Sequence, residues 1–348
     1  TAGEGLAAGE SSTTGESSAC RYWTCESPYL YHITFEYGQD RVETYFALRE
    51  VSIKEVGGLQ RICINGKPVF FNGVLDQGYF QDGIFTPKSP EEYKKDILRM
   101  KELGFNTLRK HIKVEPEIFY YLCDSLGIYL VQDMVNNGPY SFMVDTVLAT
   151  AGIKLNDKGR YGQEQKEWFR LAAFETQNLL SNNPSVIAYT VFNEGWGQTD
   201  SDQIGDELKA RDPSRIYDYT SGWFKQKHSD VDSLHIYFRT KKLAVKNKAL
   251  VLSEFGGFSR AVEGHIWNPS KSYGYGKCKD QEELTQRIIE TYKKMVLPAI
   301  PKGLCACIYT QLSDIEDEIN GFYTYDREVC KVDKDVISGF MKELKTYL

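Results

Sequence analysis

Two glutamates carry the strongest chemical signal in the sequence. Glu194 follows the apolar run 186–192 (VIAYTVF) and Asn193, and Glu254 follows the run 249–252 and Ser253. A carboxylate at the end of a strand buried on both faces points into the mouth of the sheet or barrel that the strand belongs to. Two carboxylates across a sugar-sized cleft are the minimum equipment for hydrolysing a glycoside. One stays protonated to give its proton to the leaving oxygen, and the other stays ionised to attack the anomeric carbon. Their surroundings must therefore push their pKa values apart. The decisive distance, about 5–5.5 Å for a retaining and about 6.5–9.5 Å for an inverting enzyme, is not written in the sequence. One such glutamate alone is most often solvated or ion-paired. Two at matching strand ends, each with a glycine close behind, shift the reading toward function.

Other strand ends are polar as well. The second ends in Arg109-Lys110-His111, the third in Gln132-Asp133, the sixth in His235-Ile236-Tyr237 and the eighth in Tyr309-Thr310-Gln311. An apolar core has no need of these groups. Each also has a plainer reading: Arg109 as a surface cation, and His235 with Tyr237 as core packing on the strand face they share. Trp196 and Trp223 could stack on sugar rings or plug the rim. The acidic run Asp314, Glu316, Asp317, Glu318 lacks the glycine-turn spacing of a calcium loop and reads as solvated.

The elements that would position these residues follow from periodicity. Residues 1–19 are Gly, Ser, Thr, Ala and Glu with almost nothing to bury, a linker or disordered end. Residues 20–65 read as a few antiparallel strands (29–35, 42–48, 51–56 and 61–64), too few to stand alone. From residue 66 to 348 the rhythm is strand, loop, helix. The first helix opens at Ser89-Pro90-Glu91-Glu92, which predicts an N-cap serine, proline at the first helical position and a capping box. Its stripe is Tyr93, Ile97 and Met100, and Gly104 stops it; a second helix, 117–126, again ends at a glycine, Gly127. Eight short apolar runs with helices between most of them predict an α/β fold, a closed (β/α)8 TIM barrel. An open doubly wound sheet is the alternative, disfavoured because no G-x-G-x-x-G follows the first strand.

Composition excludes several classes. With 42 basic against 48 acidic residues the net charge is −6, so no nucleic-acid-coating surface is expected. No apolar run reaches the roughly 18 residues of a membrane helix, and no signal peptide is visible, so a cytoplasmic location is expected. The eight cysteines lack paired metal spacing and read as reduced, mostly buried thiols. Aromatics make up 13% of the chain, which suits stacking on sugars, although a large core accounts for most of it.

At these residues the chain resembles glycoside hydrolase family 2, the β-galactosidases, β-glucuronidases and β-mannosidases. Ser27-Pro28-Tyr29-Leu30-Tyr31 and Tyr45-Phe46-Ala47-Leu48-Arg49 are similar to motifs of that family's immunoglobulin-like β-sandwich. Gly104-Phe105-Asn106-Thr107-Leu108-Arg109, Phe192-Asn193-Glu194 and Ser253-Glu254-Phe255-Gly256 are similar to motifs of its barrel. The resemblance implies a TIM barrel preceded by a fragment of that sandwich, and a retaining glycosidase, β-galactosidase-like, acting on terminal β-linked sugars. It implies Glu194 as general acid/base, Glu254 as nucleophile, Asn193 on the sugar 2-hydroxyl, Tyr237 holding the nucleophile and Arg109 beneath it. His235, Asp133, Trp196, Tyr309 and Gln311 become candidate substrate-binding residues.

Several departures sharpen these expectations. Where β-galactosidases hold magnesium after strand three, the chain has Gln132-Asp133-Met134, so neither a metal nor another cofactor is expected. The first strand ends in Asp76-Gln77-Gly78, and His111 follows Arg109 by two places rather than three. The Asn-Lys-Gly signature of β-glucuronidases is absent. The expected partners are a carbohydrate substrate and an N-terminal sandwich domain of the same protein, with oligomerisation left open. The alternatives are a non-catalytic carbohydrate-binding barrel, and β-mannosidase or β-glucuronidase specificity.

Overall fold

A computed structural model describes residues 20–136, 138, 141–148, 153, 162–222, 224, 226–344 and 347. The expected linker at 1–19 and Trp223 lie outside these residues. Eight strands form one parallel sheet: β6 (Phe71–Asp76), β7 (Thr107–Lys110), β8 (Tyr129–Asp133), β9 (Val186–Asn193), β10 (Ile216–Ser221), β11 (Val231–Tyr237), β12 (Ala249–Gly256) and β13 (Leu304–Thr310). Their order is β10-β9-β8-β7-β6-β13-β12-β11. The first strand therefore pairs with the last, and the two ends of the order, β10 and β11, come together. This is the TIM barrel that the strand count predicts.

The β10–β11 seam has no ladder. It closes instead through Asp230, whose N–H donates to the Tyr217 carbonyl at 3.0 Å and whose carboxylate accepts the Tyr217 N–H at 2.9 Å. Every residue of β6, β7, β10 and β13 is buried. Their lack of alternation in the sequence thus reflects a core on both faces.

Helices α1 (Pro90–Glu102), α2 (Glu117–Leu126), α3 (Gln163–Leu179) and α4 (Ser201–Arg211) lie between the strands from β6 to β10. Helix α5 (Gln281–Thr291) precedes β13, and α6 (Lys334–Leu344) follows it. The α1 stripe of Tyr93, Ile97 and Met100 is buried as predicted. Its capping box does not form: Ser89 makes no side-chain cap bond, and the Glu92 carboxylate takes Lys95 Nζ at 2.9 Å instead. The predicted stop of α2 at Gly127 holds. That glycine sits at φ 72, and a Cβ there would collide with the Cys25 carbonyl.

The leading strands form two small antiparallel sheets, β1 (Tyr31–Tyr37) with β2 (Asp40–Phe46), and β3 (Val51–Val56), β4 (Leu59–Ile64) and β5 (Lys67–Pro68). They lean on the floor of the barrel. Ile62 and Ile64 join one apolar cluster with Phe71, Tyr129, Ile216, Val231 and Ala249, the first residues of five barrel strands. Trp23 anchors the stretch before β1: it is fully buried, donates from Nε1 to the Asp124 carbonyl at 2.8 Å and packs edge-on against Tyr129. The opposite end, where the strands finish, stays free for a site.

Removing Trp23 should therefore loosen the leading strands and the floor together. Trp23→Ala is expected to cost about 3–5 kcal/mol, read as a fall in the denaturant midpoint. A loss below about 1 kcal/mol would show that the leading strands add nothing to the barrel.

Candidate active site

Arg109 sits at the centre of the mouth. It comes from β7, is 1% exposed and spends all five guanidinium N–H groups. Nε and Nη2 grip the two oxygens of Asp133 on β8 at 2.9 and 3.0 Å. Nη2 also donates to Asn193 Oδ1 on β9 at 2.8 Å. Nη1 donates to the Ser253 carbonyl and to Glu254 Oε1 on β12, both at 3.0 Å. Burial opposes its charge, but Asp133 and then Glu254 hold its pKa above the ordinary value.

The second oxygen of Glu254 accepts a short hydrogen bond from the Tyr237 hydroxyl. Burial, and then the charge of Glu254, hold the Tyr237 phenol well above its ordinary pKa, so it stays a donor. The negative charge of Glu254 is thus met by a guanidinium on one side and a phenol on the other.

Glu194 has the opposite environment. It follows β9 on a turn at φ 50, a left-handed conformation unusual outside glycine, and Gly195 continues the turn at φ 78. Burial pushes its carboxyl up to about 7, with His111 and Arg109 pulling the other way. A fifth of its side chain, 20%, stays open to the mouth, enough for a leaving group or a water to reach it. Its Oε1 lies 2.7 Å from His235 Nδ1. Burial pushes His235 down to about 4 against the pull of Glu254, so the ring is neutral.

A chain of serines behind the ring assigns its tautomer. Ser233 donates to the buried Asp218 carboxylate, which burial pushes up to about 6. Ser253 lies 2.6 Å from Ser233 and donates to the Leu234 carbonyl at 3.2 Å, and Ser221 donates its single proton to Ser253 at 2.9 Å. His235 Nε2, 2.8 Å from Ser221 and 3.5 Å from Glu254 Oε1, must then carry the ring proton. Nδ1 is left as an acceptor, and the proton between it and Glu194 belongs to Glu194. The site holds a carboxyl that keeps its proton near neutral pH beside a carboxylate charge-matched by donors. An oxygen of each lies within 4.8 Å of an oxygen of the other.

The residues singled out in the sequence divide into three groups. Arg109, Asn193, Glu194, His235, Tyr237 and Glu254 converge as described. Asp133 belongs with them but is 1% exposed and fully engaged by Arg109. Gln311 lies just past β13 and donates to Asn320 at 2.8 Å. Trp196 is 38% exposed on the turn after Glu194. Tyr309 is set apart: it is buried in the core, packed edge-on against Phe255, with its hydroxyl on the Phe258 N–H.

The acidic run expected to be solvated is corrected in part, for Glu316 is exposed but its neighbours are not. Asp314 is 3% exposed and paired with the buried Lys331, and Glu318 is partly buried against Asn320. Ile315 inside the run and Ile319 directly after it carried the missing signal, since a solvated loop has no use for isoleucines four apart. Asp218, the three serines and Tyr275, which stacks on Tyr237 at 4.1 Å, were also missed. Tyr275 lies in irregular chain where no periodicity points to it.

The family described as "Glycosyl hydrolases family 2, TIM barrel domain" matches residues 54–256. The chain is 31% identical over 220 residues to a beta-galactosidase of Aeromonas hydrophila, covering 60% of this chain and 19% of that one. It is 27% identical over 255 residues to a putative beta-glucuronidase of Formosa agariphila, covering 70% of this chain and 22% of that one. The fold is shared, at 18% identity and a TM-score of 0.69, with the beta-galacturonidase of Eisenbergiella tayi, over 93% of this chain and 60% of that one. The chain spans about a fifth of the length of these curated relatives. Among the described residues no helix is long and apolar enough to cross a membrane.

The Glu194 environment has a consequence for stability. Unfolded, the carboxyl ionises near its ordinary 4.5; folded, it ionises at about 7. Below about 4.5 the carboxyl is protonated in both states; as pH rises from there through about 7 the unfolded chain gives up the proton that the fold retains, so stability is lost, and above about 7 a buried charge remains. E194Q, whose amide can still donate to His235 Nδ1, should raise Tm by a few degrees at about pH 8 and by less at about pH 5. Equal shifts at the two pH values would rule out a buried acid.

Proposed function

The chain belongs to glycosyl hydrolase family 2, and on that premise we propose that it cleaves terminal β-linked sugars, β-galactoside-like, by double displacement. Glu254 is the nucleophile and Glu194 the general acid/base. The observation that carries this reading is the approach of the two carboxyl groups to within 4.8 Å between oxygens. That supports the separation of about 5–5.5 Å expected of retaining enzymes over the about 6.5–9.5 Å of inverting ones.

In the first step a Glu254 oxygen attacks the anomeric carbon. The bond to the aglycone oxygen breaks, and that oxygen takes the proton held by Glu194. In the second step Glu194, now ionised, takes a proton from water. The resulting hydroxide attacks the anomeric carbon, and the sugar leaves Glu254 as the free hemiacetal. Arg109 and Tyr237 fix both Glu254 oxygens in place for the attack. Asn193, its carbonyl oxygen held by Arg109 and its amide nitrogen 3.3 Å from His111 Nε2, has a second amide hydrogen to give to the sugar 2-hydroxyl. The neutral His235 accepts from Glu194 in the acid state and loses that bond once the proton is transferred.

Turnover of aryl β-glycosides tests the assignment. E254Q should abolish it, and residual turnover near wild type would end the proposal. E194Q should cost about 10²–10⁴-fold on alkyl glycosides, whose leaving group needs a proton, and far less on activated aryl glycosides. In the wild type, kcat/KM should fall as pH rises through about 7, where Glu194 loses its proton. A basic limb unmoved in E194Q would assign that proton to another group.

A further inference from the structure

The loop after β13 brings a third carboxylate to the mouth, and the two-glutamate mechanism makes no use of it. Glu318 Oε1 accepts from Asn320 Nδ2 at 2.8 Å, and Oε2 accepts from Gln77 Nε2 at 3.3 Å. Gln77 directly follows β6, and Gln311, which holds Asn320 Oδ1 at 2.8 Å, directly follows β13. Since β6 and β13 are neighbours in the barrel, Glu318 is slung across the C-terminal ends of the first and last strands. Main-chain bonds fix its loop: the Tyr273 N–H donates to the Asp317 carbonyl at 2.7 Å, and the Ile319 N–H donates to the Tyr273 carbonyl at 2.9 Å.

Glu318 shares its surroundings with the catalytic pair. Burial, and then the charge of Glu254, hold its carboxyl above its ordinary range. The Tyr273 hydroxyl feels Glu318, Glu194 and Glu254 together. The carboxylate is cradled by amides, and among the described residues no Lys, Arg or His lies within salt-bridge distance of it. The buried cations around the mouth are already engaged, Arg109 by Asp133 and Glu254, Lys110 by Asp76 and Glu115, and Lys331 by Asp314.

We propose that Glu318 is a specificity residue through which this site selects neutral sugars and rejects uronic acids. Its amide-held carboxylate accepts hydrogen bonds from the hydroxyls of a neutral sugar. A uronic acid would bring another carboxylate to a mouth that already holds Glu254 and Glu318, where the buried cations Arg109, Lys110 and Lys331 are each engaged by other carboxylates. Like charges so placed carry a large penalty. The proposal rests on the glycosidase reading of the site. It also separates this chain from the uronic-acid-cleaving proteins that share its fold.

Binding tests it independently of turnover. The probes are matched phenyl 1-thio-β-glycosides differing only at C6, galactoside against galacturonide and glucoside against glucuronide, measured by calorimetry near neutral pH on the wild type and E318Q. The wild type should bind the neutral member of at least one pair about tenfold tighter or more. E318Q, which keeps the shape and removes the charge, should narrow that ratio about tenfold, chiefly by tightening the uronide. E318A should narrow it as well while weakening the neutral sugar. A uronide bound as tightly as its neutral partner, a ratio unchanged in both variants, or no binding of any probe would overturn the proposal. The catalytic reading is judged separately, by loss of aryl-glycoside turnover in E254Q.

Discussion

A buried guanidinium must find an acceptor for each of its N–H groups, and the mouth of this barrel is built around that requirement. Arg109 offers five donors in one plane and meets Asp133, Asn193, the Ser253 carbonyl and Glu254. These partners come from β8, β9 and β12, on both sides of β7 in the barrel order. One side chain thereby ties strands that are distant in sequence into a single register at their C-terminal ends. A lysine, with one point charge, could not reach all of them. The positions of the proposed nucleophile and of the asparagine beside the proposed acid both follow from this plane.

Two glutamates on one barrel rim are chemically equivalent until their neighbours differ. Glu254 faces a cation and a phenol, while Glu194 faces a neutral imidazole whose proton is held on the far nitrogen. That difference traces back to three serines and Asp218 behind His235. The same serines sit where the barrel has no ladder: Ser221 on β10 lies 3.4 Å from Ser233 on β11. At this seam, beyond the main-chain bond from Asp230 to Tyr217, side chains take the place of a ladder. The contact that helps close the barrel is thus also the one that fixes the His235 tautomer, and with it the owner of the proton facing Glu194.

The two ends of the barrel are made differently. The floor is apolar, capped by the leading strands and Trp23, and its residues come from strand beginnings. The mouth is polar and built from strand ends and the loops beyond them. Burial does opposite work at the two ends. At the floor it holds the structure together, and at the mouth it raises the Glu194 carboxyl and lowers His235. The amides of Gln77, Gln311 and Asn320 extend this polar layer over the rim and carry Glu318 with them.

The strands, their number and most helix ends were legible in the sequence. Runs such as 186–192 and 304–310 have no alternation because both faces are buried, and Gly104 and Gly127 stop helices for local backbone reasons. Residues at strand ends were legible too, since a polar group after such a run has few other places to be. What the sequence could not show depends on contacts between distant segments. The capping box at Ser89 lost Glu92 to Lys95. Tyr309 ends a strand like its neighbours, yet its ring turns into the core. The acidic run looked solvated because Lys331 and Asn320 were not known to reach it. Local chemistry decided that this chain would place two glutamates on one barrel rim. Only the tertiary structure decided which of them keeps its proton, because that depends on charges and hydrogen bonds from strands far apart in sequence.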